Sequence, residues 1–266
     1  MPKVVIGDLE LAYESRGRDD APVLLAIMGL SGTSGHWRGF PARFEDRYRV
    51  VTFDNRGAGE TSAPAGPYST AQMAGDALAL LDQLGVAEAS VLGVSMGGMI
   101  AQELALRAPD RVAKLVLACT TPGGRGAILP GPDVLASFAN VGKGGAEATV
   151  RRLLALNFSP RFLAASADVF EELVTYGLAN RMTPAGFQGQ LAAVASHDAA
   201  ARLPGIRAPT LVLTGDLDRV IPPGNARLLA DAIPGARLVM LEGIGHMFWI
   251  EAAAEAEAAI RALLDE

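Results

Sequence analysis

The tightest constraint on the fold of this chain lies within residues 89–106. Ala89-Ser90-Val91-Leu92 is a short apolar run that reads as a buried strand. Met99-Ile100-Ala101-Gln102-Glu103-Leu104-Ala105-Leu106 has the periodicity and residue types of a helix. Between them stands Gly93-Val94-Ser95-Met96-Gly97, with Gly98 following. A strand passes into a helix over so few residues only through a sharp bend that brings the two elements close together. Glycines remove the Cβ atoms that would collide there. The serine at the apex is forced into a strained conformation that lifts its hydroxyl clear of the sheet.

The rest of the chain supplies a sheet for this turn to sit on. Residues 9–14 alternate apolar and polar like a half-exposed antiparallel strand and, with 3–6, suggest a hairpin around Gly7-Asp8. Residues 23–27 read as a buried strand that leads into the loop Gly29-Leu30-Ser31-Gly32-Thr33-Ser34-Gly35. A short helix is predicted at about 37–44, and a strand at 48–53 leads into Asp54-Asn55-Arg56-Gly57-Ala58-Gly59-Glu60-Thr61. Ser69 is the expected N-cap of a long helix with Met73, Ala77, Leu80, Leu81 and Leu84 as its apolar stripe and Gly85 at its end. Strands are predicted at 114–118, 210–214 and 237–241, a helix at 223–233, and a closing exposed Ala/Glu-rich helix at 252–264. Strands alternating with helices predict a largely parallel sheet covered on both faces.

Strand-like runs vanish from Thr121-Pro122-Gly123-Gly124 to about Pro204, where helices are expected at 146–156 and 167–179. This stretch reads as a helical insertion. Five of the nine phenylalanines fall in it (Phe138, Phe158, Phe162, Phe170 and Phe187), suited either to lining a pocket or to packing the insertion's own core.

Composition narrows the function classes. With 266 residues, half of them hydrophobic, the chain can bury a sizeable core, and an α/β fold of this length is often a single domain. The net charge of −6 and scattered basic residues disfavour nucleic acid and anionic membrane as partners. Cys119, the only cysteine, lies in an apolar run and reads as core packing. The start carries no signal-like segment, and the longest apolar run, 23–28, is far shorter than the ~20 residues of a membrane span. A soluble, cytoplasmic protein is the expectation.

Ligands of parallel α/β sheets collect at the carboxyl ends of the strands. Loops leaving such ends carry Met28-Gly29-Leu30, Ser95, Gly215-Asp216-Leu217-Asp218 and Gly243-Ile244-Gly245-His246. The last three offer a serine, a carboxylate and a histidine in the chain order of a Ser…Asp…His triad. Serine needs a base to take its proton, and imidazole titrates in the right range. His36 and His197 read as ordinary surface histidines, which leaves His246, after a Gly-x-Gly loop, as the base. Asp216 and Asp218 are both candidates for the acid, and the local physics does not choose between them. A developing oxyanion calls for preoriented N–H donors, here those of Met96 and Leu30.

Taken together, these motifs resemble those of α/β-hydrolase fold enzymes. The elbow is Gly93-Val94-Ser95-Met96-Gly97-Gly98, and Asp54-Asn55-Arg56-Gly57-Ala58-Gly59 matches the family's D-x-R-G-x-G loop. Gly215-Asp216-Leu217-Asp218-Arg219-Val220-Ile221-Pro222 matches a G-x-x-D-x-x-x-P acid loop, and Gly245-His246 matches the terminal G-H. The resemblance selects Asp218 as the acid. It implies an α/β fold whose mostly parallel eight-stranded sheet is flanked by helices, with a helical cap inserted after the sixth strand. The core would comprise 1–123 and 204–266 and the cap 124–203. One departure is Met28-Gly29, where the family usually has His-Gly; because the donors are main-chain amides, the chemistry survives the change. Asp54 and Arg56 read as loop-building.

Within the family the chain is similar to 3-oxoadipate enol-lactonase and the aclacinomycin methylesterase-like group. That similarity implies hydrolysis of a small carboxylic ester or lactone through an acyl-enzyme, without a cofactor. Dispersed histidines give no metal-ligand spacing, and the Gly-rich stretches lack nucleotide-binding order. A C–C bond hydrolase or a cofactor-free perhydrolase would keep the same triad. A non-catalytic ligand-binding module on the same scaffold is the alternative from another class.

Overall fold

In the computed structural model, which describes residues 1–266, alternate residues of the central strands go to opposite faces of one sheet, and both faces are buried. The strands are β1 (Lys3–Ile6), β2 (Leu9–Arg16), β3 (Val23–Ile27), β4 (Arg49–Phe53), β5 (Ala89–Val94), β6 (Val112–Ala118), β7 (Thr210–Gly215) and β8 (Arg237–Leu241). Their spatial order is β1-β2-β4-β3-β5-β6-β7-β8. Only β2 runs antiparallel to its neighbours; β4 through β8 are parallel.

On one face Leu25, Ile27, Val91, Leu115 and Leu117 pack with Met73, Leu80 and Leu81 of α1 (Thr70–Gln83) and Ile100 and Leu104 of α2 (Met96–Arg107). On the other, Leu24, Ala26, Leu92, Val94 and Val116 pack with Phe40, Phe44, Phe248, Ile260 and Leu263. Burial on both faces is why these strands read as unbroken apolar runs. Ser69 caps α1 as expected, accepting from Gln72 N–H at 3.1 Å.

Two local expectations need correction. The helix predicted at about 37–44 is two 3-10 turns, Ser34–Trp37 and Phe40–Phe44, because Arg38 (φ 49°) and Gly39 (φ 79°) adopt left-handed backbone between them. The closing helix is not exposed. After α9 (Phe248–Glu251), α10 (Ala253–Leu264) buries Ala256, Ile260, Leu263 and Leu264 against the sheet, an i, i+4, i+7, i+8 stripe that its alanines and glutamates hid.

Five helices follow β6: α3 (Pro132–Ala139), α4 (Ala146–Ala155), α5 (Pro160–Ala165), α6 (Ala167–Ala179) and α7 (Pro184–Ser196). Three aromatics of this stretch pack together. Phe158 stacks on Phe162 at 4.5 Å and meets Phe170 edge-on at 6.5 Å. Arg151 grips both carboxylate oxygens of Glu171 at 2.6 Å, tying α4 to α6. The two ends of the excursion lie side by side: Gly123 bridges Asp198, and Ala199 N–H donates to Pro122 O at 2.9 Å. Helix α8 (Gly224–Ala232) then connects β7 to β8. No helix is long and apolar enough to cross a membrane.

Candidate active site

Ser95 stands where β5 turns into α2, with φ 57° and ψ −122°. Such a conformation costs a non-glycine residue about 1–3 kcal/mol and persists only where its surroundings enforce it. Ser95 N–H donates to Ala118 O at 2.9 Å, and Ser95 O accepts from Thr120 Oγ1 at 2.7 Å and Gly98 N–H at 2.9 Å. A Cβ at Gly93 would fall on Gly97 O, and one at Gly97 on Ile27 O. The glycines are there for close approach, as the motif implied.

Asp218, which follows β7, and His246, which follows β8, meet each other. His246 Nδ1 lies 2.7 Å from Asp218 Oδ2, and both side chains are almost fully buried. The remaining oxygen, Oδ1, accepts from Val220 and Ile221 N–H at 2.9 Å each. Because a carboxylate only accepts, Nδ1 carries the hydrogen and Nε2 is left with a lone pair. Asp216 is employed differently, accepting Gly243 N–H at 2.7 Å to close the loop before the histidine. The geometry therefore separates the two aspartates. No hydrogen bond joins Ser95 to His246; in unliganded sites such bonds are often long and tighten with substrate.

Both neighbours of His246 are held. Gly245 N–H donates to Glu251 Oε1 at 3.1 Å, and Met247 N–H to Asn157 O at 3.1 Å. Glu251 also accepts from Ser159 N–H at 3.0 Å and Ser159 Oγ at 2.5 Å. The histidine loop is thus braced by the segment between α4 and α5.

Across from Ser95, the loop after β3 comes so close that a Cβ on Gly29 would lie 3.0 Å from Ser95 Cβ. Neither Leu30 N–H nor Met96 N–H donates a hydrogen bond within the protein. Met96 opens a helix, so its N–H has no intrahelical partner. Buried main-chain donors are rarely left idle, and Met96, buried and next to Ser95 in the chain, carries one. Met28, in place of the usual histidine, is buried; its carbonyl accepts from Asn55 Nδ2 at 2.8 Å, and Gly32 clears room for its side chain.

Asp54 and Arg56 build loops, as expected. Asp54 accepts Ser34 N–H at 2.7 Å and Glu60 N–H at 2.9 Å, while Arg56 forms a buried bidentate pair with Asp76 at 2.6 and 2.7 Å. Cys119 is buried as expected, but not among apolar groups alone. Its sulfur, an Asp218 oxygen and a His246 nitrogen lie within 4.8 Å of one another. Burial and then the Asp218 charge push the thiol pKa well up, so it packs behind the pair as a neutral thiol.

The other two histidines are not surface residues. His36 is half-buried, with Nδ1 accepting Thr33 N–H at 2.9 Å. His197 is buried, bonded through Nδ1 to Thr70 Oγ1 at 3.0 Å, and its Nε2 has no partner. Burial lowers both to about 4. Below an ordinary imidazole pKa of ~6.5 the unfolded chain binds protons that the folded one refuses. Stability should therefore fall between pH 6.5 and pH 4 by about 3 kcal/mol per histidine. Urea midpoints at pH 7 and pH 4.5 check this, with His197→Gln expected to shrink the drop.

Two residues escaped the sequence reading, Glu251 and Gln190. Gln190, on α7, is fully buried: its Oε1 accepts Ser31 N–H at 2.8 Å, and its Nε2 donates to Arg56 O at 2.9 Å. The one available signal was an uncharged polar residue on a helix face that packs inward.

Comparisons with known proteins agree with this architecture. Residues 22–253 match the model of the alpha/beta hydrolase fold family. A relative from Azorhizobium caulinodans named for carbamate hydrolysis is 32% identical over 248 residues, spanning 93% of this chain and 92% of its own. The 3-oxoadipate enol-lactonase 2 of Acinetobacter baylyi is 31% identical over 235 residues, spanning 88% and 86%. The crystal structure of the enol-lactonase from Burkholderia xenovorans LB400 superposes with a TM-score of 0.87 at 28% identity, covering 100% of both chains. With its eight-stranded sheet, its elbow and a family match over most of its length, the chain belongs to the α/β-hydrolase fold family and is a hydrolase.

Proposed function

We propose that the protein cleaves a small carboxylic ester or lactone through an acyl-enzyme on Ser95. The observation that carries this reading is the pair His246–Asp218, bonded at 2.7 Å, together with a strained serine followed by the idle N–H of Met96. Asp218 holds the tautomer in which His246 Nε2 takes the Ser95 proton as Oγ attacks the carbonyl. Leu30 and Met96 N–H stabilise the resulting oxyanion. His246 then returns the proton to the leaving alkoxide, and water repeats the sequence to release the acid. In a lactone the leaving alkoxide stays tethered to the acyl group and departs with it. Helices α3–α7 act as a cap, taken as residues 124–203, over the core formed by 1–123 and 204–266. A cytoplasmic location accompanies this reading, in keeping with a lone unpaired cysteine.

The test is a panel of short p-nitrophenyl esters, aliphatic lactones and carbamate esters, run beside labelling by a fluorophosphonate. Stoichiometric labelling of Ser95 and turnover of at least one ester or lactone are expected. A protein that resists the probe at high concentration and turns over nothing is a binding module, and the proposal fails. Turnover confined to carbamates would keep the nucleophile and replace the substrate class.

A further inference from the structure

The loop that carries Leu30 turns on itself. Gly32 N–H donates to Gly29 O at 3.1 Å, closing a β-turn with Leu30 and Ser31 at its centre. Ser31 has φ 59° while Leu30 is not in the left-handed region, the pattern of a type II turn. That position favours glycine, and serine occupies it at a cost. Turning Ser31 to negative φ about its own N–Cα bond would break the Gly29–Gly32 turn and swing Leu30 with it. Something must oppose that rotation.

Gln190 does so. Its amide orientation is not free, because Arg56 O can only accept and therefore takes Nε2. Oε1 is left facing the turn, where it accepts Ser31 N–H. Were the turn to break, Gln190 Oε1 would lose Ser31 N–H and stand unpaired inside a fully buried site. Helix α7 is set for this contact by its glycines: a Cβ on Gly186 would lie 2.5 Å from Gly57 O, and one on Gly189 would lie 2.5 Å from the Tyr68 ring. The backbone of the helix therefore docks directly on the loop that presents Arg56 O.

We propose that Gln190 is a positioning residue of the cap: through Ser31 N–H it anchors the Gly29–Gly32 turn, whose first central residue, Leu30, carries the oxyanion donor N–H. The inference rests on the serine-hydrolase reading above. An oxyanion donor acts on charge that appears only in the transition state, so its misplacement lowers kcat and spares KM.

The experiment compares wild type, Gln190→Met and Gln190→Met/Ser31→Gly on the best ester of the panel, with thermal melts of each. Gln190→Met should lower kcat about 10- to 100-fold, less than or equal to deletion of a donor, with KM within about twofold. Ser31→Gly removes the conformational penalty that Gln190 opposes, so the double variant should recover about tenfold of that loss. If Gln190→Met does not yield soluble protein, Gln190→Asn, too short to bridge both partners, replaces it with the same expectations. Unchanged kcat, a loss carried by KM, or a loss that Ser31→Gly does not relieve would each overturn the proposal. Wild type that is not labelled by fluorophosphonate would instead overturn the hydrolase reading, which keeps the two failures distinct.

Discussion

Replacing Ser95 with alanine is expected to lower kcat on the best ester by about 10⁴-fold or more while leaving the fold intact. Alanine has the same Cβ as serine, so the strained backbone at φ 57° is no worse accommodated than before. The hydrogen bonds that hold the elbow come from the main chain and from Thr120, and none uses the Ser95 hydroxyl. The melting temperature should therefore stay within a few degrees, and fluorophosphonate labelling should vanish. The residual rate reflects the oxyanion donors and substrate binding, which the substitution leaves in place. Retention of a tenth of wild-type kcat would mean that Ser95 is not the nucleophile.

The Asp218→Asn variant should be nearly as damaging, with kcat down about 10⁴-fold, by a different route. Oδ1 is committed to two N–H donors, Val220 and Ile221. An asparagine must keep its carbonyl oxygen there, which turns its NH₂ group toward His246 Nδ1. That nitrogen can then only accept, the ring hydrogen moves to Nε2, and no lone pair remains to take the Ser95 proton. The loss should lie in kcat and persist at saturating ester. Asp216→Asn, at the neighbouring position, should cost less than about tenfold, because its carboxylate holds Gly243 N–H rather than the histidine. Equal effects of the two changes would refute the assignment of the acid.

What could be read from residue order alone divides along physical lines. The elbow, the buried strands and the capped helix α1 were legible because local chemistry determines them: glycines at a crossing, apolar runs, and Ser69 ahead of a periodic segment. The choice of Asp218 over Asp216 rests in the sequence only on the spacing of a known loop, since the two differ in which loop amides reach them, and that depends on tertiary structure. His36 and His197 were misjudged because their neighbours, Thr33 and Tyr176 around one and Thr70 beside the other, come partly from remote segments. In α10 the reading followed composition where the position of four residues decided burial. For Gln190 an uncharged polar side chain on an inward-packing helix face was the whole signal, and nothing local said what it would bond. Its partners are 159 and 134 residues away in the chain.

The paired ends of the helical excursion bear on how such a chain can diversify. Because Gly123 and Asp198 already lie side by side, the sheet is indifferent to how much chain runs between them. Doubling the length of a flexible connection adds only about 0.6 kcal/mol of closure cost. Lineages sharing this scaffold can therefore lengthen, shorten or exchange the segment without endangering the core. The freedom is narrower than the topology suggests. A transplanted segment that lacked counterparts of Asn157, Ser159 and Gln190 would leave a sound scaffold with its histidine loop and its oxyanion turn unbraced. A graft between relatives keeps both loops braced only if those few contacts travel with it.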